Sequence, residues 1–218
     1  MPDQPEPALP GRKREARAND TAILHAARAV FAGGNQDASM ADVARRAGVG
    51  VGSIYRRYPT REALIAALHT HGVREAARLA HDVAEERSGP QGAVVAFVGR
   101  QIATATGPLL RPVGAVTPWP EGLAEATADL HRGLERLVAL DLETGRVPRG
   151  FTAADVMQLL LHLRPILPLP RERADALHRR YLDLVAVGLA ERAAAGDELT
   201  DGPTWDEWVG VWYDESRH

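Results

Sequence analysis

From Asp20 onward, apolar residues recur at helical spacing. Ile23, Ala27, Val30 and Phe31 share one face, and Gly33-Gly34 ends the run. Ser39 stands where a second helix would start, with Asp42 three residues on in capping-box position. Met40, Val43, Ala44 and Ala47 form the inner face of that helix, and Gly48 permits a sharp turn after it. A third, short helix carries Ser53 to Tyr58 before Pro59 stops it. Thr60 can cap a fourth, whose apolar positions Leu64, Ala67 and Leu68 continue toward residue 86.

After Ser88-Gly89-Pro90 the pattern stays helical but is punctuated by proline. It predicts helices near 91–106, 121–144, 152–164 and 171–194, separated by Pro108 and Pro112, by Pro118 and Pro120, by Pro148, and by Pro165, Pro168 and Pro170. Thr152 with Asp155 and Thr204 with Glu207 repeat the capping-box spacing. A last segment, Thr204 to Tyr213, sets Trp205, Trp208, Val209 and Trp212 on one face, too apolar for a free tail. It is expected to dock on its own body or on a partner subunit. β-branched alternation is nowhere sustained, so the fold class is all-α. No internal repeat is present.

Composition narrows the function classes. The 218 residues include no cysteine, which excludes disulfides, thiolate metal sites and cysteine nucleophiles. No apolar run reaches the roughly 18 residues of a membrane span. The first residues, MPDQPEPALPGRKR, lack the apolar core of a signal peptide, and a cytoplasmic location is expected. The net charge of −3 hides an asymmetry. Residues 12–61 hold ten Lys/Arg against four Asp/Glu, whereas residues 62–218 hold sixteen against twenty-three. A basic module joined to an acidic body suits a polyanion reader at one end. The expected organisation is a flexible basic arm over 1–19, a DNA-binding unit over 20–66 and a larger helical body over 67–218.

The layout over residues 21–64 is that of a helix-turn-helix, in which one helix braces a second that lies in the major groove. Ala41, Ala44 and Ala47 are small enough for close crossing, and Ser53, Tyr55, Arg56 and Arg57 supply donors and a flat side chain. Phosphate contacts are expected from the amide-rich start of the second helix at Ser39 and from Arg61. Phe31 and Tyr58 read as core, and Arg45 and Arg46 as a solvated face.

These residues resemble the TetR family of transcriptional repressors. The matching pieces are Ile23-Leu24 through Phe31, Asp42-Val43-Ala44, Ala47-Gly48-Val49, Ser53-Ile54-Tyr55, Tyr58 and Thr60-Arg61-Glu62-Ala63-Leu64. The resemblance implies that Ser39 caps its helix and donates to a phosphate, and that Met40 reaches a base. It also implies that Val51, Gly52 and Ser53 form the exposed start of the reading helix. Tyr55 would touch backbone or a thymine methyl, with Arg56 and Arg57 beside it, and Arg61 would grip phosphate where the family usually carries lysine. Gly50 departs from the usual Ser or Thr, so that cap side chain is missing. Gly52 offers no side chain either, which shifts base reading onto its neighbours.

For the body, the resemblance implies a homodimer through the helices near 152–164 and 171–194, spacing two reading helices for a palindromic operator. Leu177, Tyr181, Leu184, Val185 and Leu189 offer an apolar stripe for this, or for burial within one chain. The family's architecture also implies a small-molecule effector pocket between residues 64 and 165, for which Arg100, Gln101, Trp119, His131 and His162 are candidates. His162, in LLLHLR, reads as a buried, hydrogen-bonded histidine. The fourth helix joins both modules and is the natural lever between them.

The expected function is a repressor released from double-stranded DNA by an unidentified effector. The alternative is a DNA-binding activator or architectural regulator without an effector. An enzyme is not expected. The glycines at 48, 50 and 52 do not have dinucleotide-loop spacing and follow no strand, and no H-x-x-x-H pair occurs. No catalytic residue, metal or cofactor is assigned.

Overall fold

The computed structural model describes residues 10–31, 38–86, 91–104, 120–163 and 167–213, with side chains from residue 19 to residue 210. Gly33-Gly34, Ser88-Gly89-Pro90, Pro108, Pro112, Pro118, Trp119, Pro165 and the side chain of Trp212 lie outside them. Among the described residues the fold is all-helical: α1 (Pro10–Phe31), α2 (Met40–Ala47), α3 (Val51–Arg57), α4 (Arg61–Glu86), α5 (Ala93–Thr104), α6 (Leu123–Glu143), α7 (Ala153–Leu163), α8 (Arg171–Ala194) and α9 (Trp205–Tyr213). The chain divides into two compact units, Met1–Leu68 and His69–His218, with the boundary inside α4.

In the first unit α1 packs on α2 and α2 on α3. Of the positions picked out by periodicity, Ile23, Ala27, Phe31, Met40, Val43, Ala44 and Leu64 are buried, Val30 and Ala47 are half-buried, and Leu24, Ile54 and Tyr58 join the core. One boundary differs. α1 begins at Pro10 and not near Asp20, so the stretch expected as a flexible arm is helical from Pro10 onward. Proline suits the first helical position, and Arg, Lys, Glu and Ala after it are good helix formers. With no apolar stripe, that stretch gave the periodicity nothing to detect.

The capping boxes form as spaced. Asp42 N–H donates to Ser39 Oγ at 3.2 Å, while Ser39 N–H donates to the Asp42 carboxylate at 2.9 Å. Thr152 and Asp155 repeat the exchange at α7, and Thr204 and Glu207 at α9. Thr60 Oγ1 accepts from Ala63 N–H at 3.1 Å at the start of α4.

The second unit is built on a core that includes Val83, Phe97, Ile102, Leu123, Leu130, Leu134, Leu137 and Met157. Its most unexpected member is Asp141, a carboxylate only 2% exposed. It accepts from Ala93 N–H at 2.7 Å and Val94 N–H at 2.9 Å, so the last turn of α6 caps the first turn of α5. Burial pushes the Asp141 carboxyl above the usual range, and the two N–H donors and Arg146 oppose that rise. Gly92, at φ +99°, makes the approach possible: a Cβ there would lie 2.6 Å from Asp141 Oδ2.

The segment ahead of α9 is tied down by its backbone. Leu199 N–H donates to the Arg149 carbonyl at 2.8 Å, and Thr152 Oγ1 donates to the Pro203 carbonyl at 3.1 Å. α9 then docks on α7 of its own unit, with Trp208 buried in the core and Trp205 stacked on His131. α8 is one-sided. His178, Leu182 and Ala186 face inward, while Tyr181, Leu184 and Val187 are exposed.

Candidate nucleic-acid interface

Gly48 closes α2 in the left-handed region at φ +70°, and its N–H returns to the carbonyls of Ala44 and Arg45. That turn aims α3 away from α2. Ile54, fully buried, pins α3 by its inner face, and Tyr58 ends it against the core. Burial and the Asp20 carboxylate push the Tyr58 phenol above its ordinary value. The outer face follows by helical phase: Val51, Gly52, Tyr55 and Arg56 are exposed, Tyr55 by 49%, with Ser53 half-buried beside them. Arg56 donates to Ser53 Oγ at 3.0 Å, which lays its guanidinium along the start of the helix.

Ser39 is exposed at the start of α2, where its hydroxyl serves Asp42. Hydrogen bonds from Ser39 and Arg45 hold the Asp42 carboxyl down to about 2. Arg45 reaches Asp42 Oδ1 at 2.5 Å and remains on the solvated face. Arg61 places its guanidinium carbon 5.0 Å from the centre of the Phe31 ring.

Two expected contacts are placed elsewhere. Met40 is 5% exposed and belongs to the core beneath α2, its inner-face role. Arg57 pairs with Asp20 of α1, a long-range partner that sequence reasoning missed. Only the charge of Asp20 was legible; its distance to Arg57 depends on how α1 crosses α3.

The four described effector candidates lie on three different helices, α5, α6 and α7. Arg100 pairs with Glu86 and lines a cavity of about 390 Å³ between α5 and α8, with Val95, Ala96, Arg179 and Leu182. Gln101 is buried on α5. His131 lies parallel to Trp205 at 4.4 Å and faces Glu135 at 3.5 Å. Trp119 is outside the described residues. His162 is exposed, contrary to the buried histidine expected, because Leu160 and Leu163 take the inward phase of α7. No helix among the described residues is long and apolar enough to cross a membrane.

A bracing helix with a buried inner face, a left-handed glycine turn and a short helix with a polar, cationic outer face define a helix-turn-helix DNA-binding unit. Residues 23–68 match the model described as bacterial regulatory proteins, tetR family. Residues 23–68 are thus similar to a TetR-family helix-turn-helix, and the chain has the fold of those transcription regulators. The chain is similar to a TetR transcription regulatory protein from Mycobacterium vanbaalenii, at 24% identity over 82% of this chain and 98% of that one, with a TM-score of 0.59. It is also similar to a TetR transcriptional regulator from Streptomyces coelicolor, at 29% identity over 78% and 97% of the two chains, with a TM-score of 0.53. No curated protein matches it.

Proposed function

We propose that this chain is a dimeric transcriptional repressor that a small-molecule effector releases from a palindromic operator. The outer face of α3 carries the DNA part of this reading. Tyr55, Val51 and Arg56 are exposed there over a buried Ile54, a disposition that suits a helix presented to the major groove. Ser39 at the amide-rich start of α2 and Arg61 at the start of α4 supply phosphate contacts that fix the register, and Gly52 and Ser53 lie nearest the base edges.

The dimer part rests on α8. Leu184 is 60% exposed, with Tyr181 and Val187 beside it, and large apolar residues on one helix face favour burial against another subunit. α7 would complete the four-helix contact. A two-fold pair would read half-sites about 34–36 Å apart. The effector part rests on the helical body, where the cavity beside Arg100 is a candidate entry. A ligand releases DNA only through its differential affinity for the bound and free states, and ~1–3 kcal/mol is the expected coupling.

The test begins by selecting bound fragments from random duplex DNA, which should yield a palindrome. Tyr55→Ala should then cost about 1–3 kcal/mol on that operator and much less on random duplex. Equal losses on both would remove Tyr55 from base reading.

A further inference from the structure

Resting on the reading of α3 as the DNA-facing helix, we propose that Asp20 holds Arg57 out of phosphate contact and so sets the affinity of this unit for non-specific DNA. α3 carries two adjacent cations, Arg56 and Arg57, and a third, Arg61, follows at the start of α4. Their surroundings differ. Arg56 is turned along its own helix toward Ser53, and Arg61 lies on the Phe31 ring. Arg57 reaches a carboxylate on another helix, that of Asp20.

The pair spans 37 residues of sequence and joins α1 to the last turn of α3. The Asp20 side chain is only a fifth exposed, so its carboxylate is screened less than a surface acid. Tyr58 closes the same corner, and its phenol responds to both charges. A guanidinium donates to carboxylate and to phosphate through the same N–H edges. The Arg57 side chain is itself about half exposed, so a phosphate reaching it competes with Asp20 for the N–H edge the carboxylate holds.

Asp20 thus occupies the place of a phosphate inside the free protein. It orients α3 on α1 through Arg57 and removes one cation from the sequence-independent part of DNA binding. Specific contacts through Tyr55, Ser53 and Arg56 remain, so the base-reading part of binding is untouched while the part common to all sequences is weakened. Asp20 is a positioning residue in this scheme, acting through Arg57.

The decisive measurement is the salt dependence of binding to random duplex DNA, read by fluorescence anisotropy over a KCl series. Each phosphate neutralised contributes about 0.9 to the slope of log K against log salt. Arg57→Ala alone should leave the wild-type slope unchanged. Asp20→Asn should steepen it by about one unit and tighten low-salt binding several-fold. Adding Arg57→Ala to Asp20→Asn should restore the wild-type slope, while Asp20→Glu should keep it throughout. A merely structural ion pair would change melting temperature and leave all slopes equal, which overturns the proposal. So does a flatter slope for Arg57→Ala alone, the result that decides the matter if Asp20→Asn folds poorly. Failure of the wild-type chain to bind any duplex would instead overturn the DNA-facing reading on which this rests.

Discussion

Gly52→Ala separates what the free protein needs from what its DNA complex needs. Gly52 lies in the first turn of α3, and a Cβ built on it meets nothing within 4 Å. Its backbone is helical, so alanine is free to adopt it. Glycine in a helix is less favourable than alanine by about 0.5–1 kcal/mol, chiefly because the unfolded glycine has more freedom to lose. The substitution should therefore stabilise the chain, and at ~1 kcal/mol the melting temperature of a protein of this size rises by about 2–4 °C. The same methyl projects from the exposed outer face, the one proposed to meet the groove. If the helix start approaches the base edges as closely as a bare backbone permits, the methyl forces a displacement costing about 1–3 kcal/mol of operator affinity. That corresponds to roughly 5- to 150-fold. The assay pairs thermal melts with anisotropy titrations on the selected operator. A stabilised protein with unchanged operator affinity would refute the close approach. A destabilised protein would refute the open space around residue 52.

Two further substitutions probe the caps. Ser39→Ala should cost about 1 kcal/mol by removing the oxygen that accepts from Asp42 N–H. It should also flatten acid unfolding: the Asp42 pKa is depressed in the folded chain, so its contribution is present above the ordinary value near 3.8 and lost as pH falls toward 2. Melts of both proteins between pH 2 and pH 5 that ran parallel would sink that linkage. Asp141→Ala should cost at least about 1–3 kcal/mol, because the N–H groups of Ala93 and Val94 lose their acceptor in a buried site. A shift under about 0.5 kcal/mol in denaturant titration would mean that water or the chain replaces it.

Local chemistry in the sequence was enough to place most elements. Capping residues three apart and prolines between apolar runs put α5 to α9 within a residue or two of their observed ends. Most of the inner faces of α1 and α2 followed from spacing, and the apolar face of Trp205, Trp208 and Val209 was legible as a docking face. Spacing leaves open whether that face meets its own body or a partner, and the fold places it on the body. The misses share a cause. The extra turns of α1 carry no apolar stripe, and helix propensity without burial leaves no periodic trace. Asp20 with Arg57 and Asp141 with Ala93 are meetings across 37 and 48 residues, which depend on how helices cross. In the candidate interface, the exposure of Tyr55 and Arg56 follows from helical phase. Met40 had two claims in the sequence, core and base contact, and tertiary packing gave it to the core.

The contact between Gly92 and Asp141 has a consequence for how this sequence can change over generations. Any side chain at position 92 would need the volume that the carboxylate occupies, in a backbone conformation that favours glycine. Removing the carboxylate to make room strands two buried donors at the head of α5. Whichever position mutates first, the single variant is less stable than this chain. Gly92 and Asp141 are therefore expected to change as a pair, and relatives that vary one while keeping the other would refute that coupling.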